Sequence, residues 1–192
     1  MKYNFTSKEY NSDYGMITYI WGPLLWHFLH IISFNYPVNP ELYNKEKGFK
    51  SGHIQNCYYF FINMLIYILP CGACRDNLKD NLNTLKFKEK KHEILKNRHN
   101  FSVFIYDLHE VVNNMLNKKS NLKYKDVRDY YEHFRAYCSK NKIHNGCTKL
   151  QHNNKTRVKP KTIIYIVPFE KKIKTTKIHK KCNIKCIHNC SV

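Results

Sequence analysis

Cys71 and Cys74 stand two residues apart, directly after Pro70 and between stretches whose apolar residues recur at helical intervals. Such a pair can close a small disulfide ring, and at a helix start the first sulfur meets unpaired N–H groups that favour its thiolate. By itself the spacing admits thiol–disulfide exchange, half of a zinc site or chance. The preceding residues narrow the choice. A thioredoxin-like arrangement needs strands around its cysteines, whereas residues 54–68 read as helix. The pair is therefore expected in a helical protein.

Along the chain, Ile20, Leu24, Phe28, Ile31 and Ile32, with Trp21 and Leu25 beside them, predict a first helix over 19–35, ended by Tyr36-Pro37. Residues 38–50 are polar, contain Pro40 and Gly48, and read as a connection. Residues 54–68 predict a second, buried helix stopped by Pro70; the apolar run from Tyr58 to Leu69 includes Asn63 and falls short of the ~20 residues a membrane span requires. The cysteines then open a third helix, to about Asn83. The charged segment 86–100 has few apolar residues and reads as an exposed linker or solvated extension. Phe101, Phe104, Ile105, Leu108, Val111, Val112, Met115 and Leu116 form one stripe of a fourth helix, capped by Asn100 or Ser102. A fifth, over 125–140, carries Val127, Tyr130, Tyr131 and Phe134.

Beyond Asn141 the composition turns to His, Asn and Lys, which places a boundary near residue 142: a helical domain over 1–141 and a basic extension over 142–192. A short β-branched run, Thr162 to Val167, is the ordered-looking piece of that extension. The formal charge is +19; residues 151–192 hold eleven Lys and Arg against one acid, Glu170. Charge of this size suits an anionic partner but does not choose between nucleic acid, membrane surface and acidic protein. The eight cysteines come without a secretory leader, as the polar N-terminus lacks an apolar segment, so a cytosolic setting is expected. There, closely spaced cysteines are more often catalytic or metal-binding than structural. Cys57 reads as a small buried hydrophobe.

Taken in order, Gly22-x-x-x-Trp26-x-x-x-His30, Tyr36-Pro37, Cys71-x-x-Cys74 and His109-x-x-x-Asn113-x-x-Leu116-x-Lys118 resemble the Erv/ALR family of FAD-linked sulfhydryl oxidases. The resemblance runs over about residues 19–135. The run from Trp21 to His30 is most similar to the versions carried by large cytoplasmic DNA viruses. It implies an all-α fold, a four-helix bundle with a short fifth helix, as a homodimer holding FAD at one end. It implies that Cys71 exchanges with incoming thiols and Cys74 passes electrons to the flavin, and that Trp26, His30, Tyr36, His109, Val112, Asn113 and Lys118 contact the cofactor, with Gly22 allowing close backbone approach. Aromatic, His, Asn and Lys side chains suit a flavin's ring faces, its polar edges and its phosphates. The implied reaction joins two thiols of a protein substrate into a disulfide, with O2 reduced to hydrogen peroxide, in the host cytoplasm or virion.

Departures from the family pattern are also legible. Tyr106 and Tyr124 stand where cellular members carry a structural disulfide, Glu110 replaces an Asn, and Tyr130 or Tyr131 stands in for a late Trp. Cys182, Cys186 and Cys190 are candidates for a shuttle pair, while Cys138 and Cys147 carry no ranked role. The rival reading is a non-enzymatic basic binding protein whose Cys71 and Cys74 are structural or bind zinc with Cys182, Cys186, His179 or His188.

Overall fold

The computed structural model describes residues 5–135, in which eight helices and no strand occur. The expected boundary at 142, the run 162–167 and Cys138, Cys147, Cys182, Cys186 and Cys190 lie outside the described residues. Four long helices make the bundle: α2 (Thr18–Asn35), α4 (His53–Ile68), α5 (Gly72–Thr84) and α7 (Arg98–Met115). α2 lies along α7, α4 along α5, and α5 also meets α7. The short α8 (Tyr124–Glu132) crosses against α2 and α7. α1 (Ser7–Tyr10), α3 (Pro40–Glu46) and α6 (Lys91–Ile94) complete the order. No helix among the described residues is long and apolar enough to cross a membrane.

The core forms where the apolar stripes of α2, α4, α5 and α7 converge, around Tyr36, Ile62, Leu82, Phe101, Ile105 and Leu108. Two segments read as connections contribute to its order. α3 starts at Asn39, whose side chain accepts from the Leu42 N–H at 3.0 Å, with Pro40 in the first turn, where its missing N–H costs nothing. The charged stretch 86–100 is not a solvated linker. It folds Phe87, Ile94 and Leu95 inward, and Phe87 stacks on Phe104 with ring centroids 4.6 Å apart. Full burial of such side chains contributes about 1.5–3 kcal/mol each, enough to anchor a segment otherwise made of Lys and Glu. The cap of α7 is Asn97, which accepts from Asn100 N–H at 2.9 Å; neither Asn100 nor Ser102 has that role. α8 ends at Glu132, short of the expected Lys140.

The stripe Ile20, Leu24, Phe28 and Ile31 that announces α2 is exposed, and the opposite face, with Gly22, Leu29, His30, Ser33 and Phe34, packs inward. Similarly, α4 buries Ile62 and Leu65 but leaves Phe60, Met64, Tyr67 and Ile68 exposed, so it is not the buried helix its composition suggests. Helices apolar on both faces do not reveal by periodicity which face meets the core. Cys57 is exposed as well, with its Sγ 3.7 Å from His53 Nε2.

Candidate functional site

Leu69 ends α4, and Cys71 caps α5 in an extended conformation. Its Sγ accepts from the Cys74 N–H at 3.2 Å, one of the donors a helix start leaves without a backbone partner. Cys71 and Cys74 are joined as a disulfide with Cα atoms 5.2 Å apart. In this form neither sulfur is a thiolate, the state a zinc ligand requires. The two sulfurs have different surroundings. Both are half-buried, but Cys74 packs against the hydrophobic core whereas Cys71 caps the helix tip.

An N-terminal strap crosses this tip. Met16 N–H donates to Pro70 O at 2.6 Å and Gly72 N–H to Asp13 O at 2.8 Å. Arg75 closes the strap, donating to Asp13 Oδ1 at 2.6 Å and to Leu69 O at 2.8 Å. Two glycines permit the crossing. Gly15 has φ +63°, and a Cβ there would lie 2.0 Å from Pro70 O; one on Gly72 would lie 2.9 Å from Asp13 Cβ. Gly15→Ala is expected to cost about 2 kcal/mol through strain and clash, a fall in Tm of about 5 °C measurable by thermal denaturation.

Thr18, Gly22, Trp26 and His30 follow one another at intervals of four, a single line along α2, so His30 is about 18 Å from Thr18 at 1.5 Å per residue. A Cβ on Gly22 would meet Thr18 Cγ2, at 3.3 Å, and no other atom within 4 Å outside its own helix backbone and chain neighbours. Trp26 stacks on His109 of α7, centroids 4.1 Å apart and planes within 7°. His30 Nε2 lies 3.1 Å from His109 Nδ1. One of those nitrogens donates and the other accepts, and in either case the remaining nitrogen of His30, Nδ1, is buried without a partner among the described residues. A buried polar atom left so is rare, and Asn81 Nδ2 is the other among the described residues.

Burial holds His30 neutral, its pKa lowered to about 3, with the His109 and His27 charges pushing the same way. His109 is also lowered, chiefly by burial; Glu110 opposes the shift and Lys118 adds to it. Lys118 is near because α7 ends in a left-handed turn at Asn117, φ +54°, and Lys118 N–H returns to Asn113 O at 2.8 Å. Asn113 donates its side-chain amide to Glu110 at 2.9 Å, and Val112 is half-buried on the same helix. Of the two late tyrosines, Tyr131 joins the group: it stacks on His30 at 5.0 Å and on Phe34 at 5.7 Å, with its hydroxyl 3.2 Å from His27 Nδ1. Its phenol is pushed up to about 12 by burial.

Tyr36 is placed differently from the other candidates. It is fully buried, its ring contacts are with Tyr58 and Phe101, and its hydroxyl donates to Leu95 O at 2.8 Å. Tyr106 and Tyr124 meet edge to face at 5.8 Å; the Tyr106 hydroxyl donates to Leu122 O and the Tyr124 hydroxyl bonds Ser102. A non-covalent clamp thus ties α7 to α8.

The Erv1 / Alr family model matches residues 23–135, more than half of the chain. The chain belongs to this family. It is similar to a probable FAD-linked sulfhydryl oxidase of Acanthamoeba polyphaga mimivirus, with 36% identity over 99 residues, covering 52% of this chain and 60% of that relative. Within the family frame, sequence reasoning missed Thr18, Asp13 and Arg75. Thr18 alone left a signal, the four-residue register it shares with Gly22, Trp26 and His30.

Proposed function

We propose that this chain is an FAD-linked thiol oxidase that forms disulfides in protein substrates, converting two thiols and O2 into a disulfide and hydrogen peroxide. The observation that carries the reading is the Cys71–Cys74 disulfide at a helix start, with Cys74 packed against the core and 3.7 Å from Thr18, on the helix that carries Trp26 and the unpartnered His30 nitrogen. Those residues fit a flavin: Trp26 and His109 supply flat faces, His30 Nδ1 a buried polar group needing a partner, and Lys118 a cation for phosphate. Gly22, Val112 and Asn113 complete the set that would hold FAD, whereas Tyr36, fully buried and with its hydroxyl donated to Leu95 O, is not placed to touch it. Bound there, FAD supplies the two-electron carrier that the protein's own side chains lack. The protein's part is the sulfur exchange. A substrate thiolate attacks Cys71 and Cys74 leaves as a thiolate; a second substrate thiolate then attacks the substrate sulfur of the mixed disulfide, closing the substrate's disulfide and releasing Cys71.

The exposed stripes of α2 and α4, joined where Phe28 and Phe61 meet edge to face at 6.2 Å, support a homodimer in which a second copy covers them. Sedimentation should give a dimer that Phe28→Asp converts to monomer. Action on viral proteins in the host cytoplasm or virion, with the basic residues beyond 150 meeting an anionic partner, completes the reading. The test is the absorbance of the purified protein from roughly 300 to 550 nm, before and after excess dithiothreitol in air, with oxygen uptake followed. A flavin band that bleaches and recovers as oxygen is consumed supports the oxidase. A colourless, inert, folded protein overturns it in favour of a basic binding protein.

A further inference from the structure

Each sulfur of the disulfide has one hydrogen-bond neighbour among the described residues, and the two are of different kinds. Cys71 Sγ accepts a backbone N–H at 3.2 Å, as the first sulfur of any such pair at a helix start can. Cys74 Sγ lies 3.7 Å from Thr18 Oγ1, a contact across 56 residues that no local rule supplies. In the disulfide Cys74 carries no hydrogen, so the hydroxyl is the donor.

Thr18 is held in place from both sides. Two residues before it, Met16 is fixed through its N–H to Pro70 O and through its carbonyl, which accepts from Trp21 Nε1 at 3.0 Å. The Asp13–Arg75 pair fixes the same strap to the turn that carries the cysteines. The hydroxyl is therefore aimed by the elements that build the redox turn.

We propose that Thr18 is a catalytic residue of the sulfur exchange, whose hydroxyl stabilises Cys74 as a thiolate once the disulfide is reduced. This rests on the thiol-oxidase reading for its role, but not for its test. A substrate dithiol gives up two electrons and two protons as it closes to its own disulfide. The Cys71–Cys74 bond breaks, Cys71 takes one proton as a thiol, the other proton goes to solvent, and Cys74 retains the charge. A disulfide sulfur is a weak acceptor and a thiolate a strong one, so the bond strengthens on reduction and draws the pair toward its reduced form. Thr18 thereby makes the disulfide easier for a substrate to reduce, and gives Cys74 a donor of its own beside the N–H that the helix start gives Cys71.

The experiment equilibrates the purified full-length protein with glutathione buffers under anaerobic conditions, alkylates it and counts reduced Cys71 and Cys74 by mass spectrometry. Thr18→Val keeps the shape and removes the donor. Its half-reduction point should require a roughly tenfold higher ratio of squared glutathione to glutathione disulfide, a potential lower by about 30 mV. Thr18→Ser, which keeps the hydroxyl, should titrate within about twofold of wild type. Thr18→Val titrating with wild type overturns the proposal, and so does Thr18→Ser shifting as far as Thr18→Val, because a variant that keeps the hydroxyl would then behave like one that lacks it. The titration reads the disulfide alone. A wild type that consumes no oxygen with thiols overturns the oxidase reading and leaves the Thr18 result to be judged by its own shift.

Discussion

Replacing Cys74 with serine should stop thiol-driven oxygen consumption, by at least about 10³-fold, while the yellow band of bound flavin remains. The reason is stoichiometric. Oxidising a dithiol requires a protein disulfide to accept two electrons, and Cys74→Ser leaves Cys71 with no partner: among the described residues Cys57 is the other thiol, on the exposed face of α4. Cys71→Ser should be as inactive. The two variants differ in what they retain. Cys74→Ser keeps the sulfur at the helix tip, which can form a mixed disulfide with oxidised glutathione; Cys71→Ser keeps the sulfur packed against the core, which should do so more slowly. Oxygen electrode traces, flavin spectra and the mass of the glutathione adduct check all three. Equal adduct rates would remove the distinction between an outer and an inner sulfur, and turnover in Cys74→Ser near the wild-type rate would sink the disulfide mechanism itself.

That distinction is partly legible in the sequence. The four long helices are, because α2, α4 and α7 carry many apolar residues at helical spacing and α5 follows directly from the redox turn, which Pro70 and the cysteine spacing fix locally. The residues that complete the site are less so. Trp26 and His109 face each other from helices 83 positions apart, and the family pattern brings them together where periodicity alone does not. Phe87 and Leu95 are hidden by their charged neighbours, since Phe87, Ile94 and Leu95 are enough to anchor a short segment but too sparse to form a pattern. The exposed faces of α2 and α4 went the other way. Their apolar stripes look like core, and only the packing shows that the interior takes the face with His30 and Ser33. Thr18 reaches Cys74 through a strap whose two close crossings depend on Gly15 and Gly72, and a glycine in a sequence does not announce what it lies against.

The second large effect is on stability in mild acid. His30 is buried, with His109 at its Nε2, Tyr131 on its ring face and His27 one turn earlier, and its folded pKa is lowered to about 3. The unfolded value is near 6.5. Between these the unfolded chain binds a proton that the folded chain refuses, so unfolding gains as pH falls: the stability is complete above pH 6.5 and is lost progressively down toward pH 3. One such group contributes a slope of up to about 1.4 kcal/mol per pH unit. His109, lowered by the same burial, adds to it. The carboxylates whose folded values are lowered, Glu9, Glu41 and Glu132, act in the same direction but only near and below their unfolded value of 4.5. Asp107, raised by burial, acts oppositely in that lower range. The window from pH 6.5 to 5 therefore belongs to the histidines. Urea denaturation across it should show the unfolding free energy falling by about 2 kcal/mol or more, and His30→Gln, which cannot take up a proton, should flatten the slope by about one proton's worth. A slope unchanged in His30→Gln would mean that His30 does not titrate between the two states, and the neutral, buried histidine at the centre of the site would have to be abandoned.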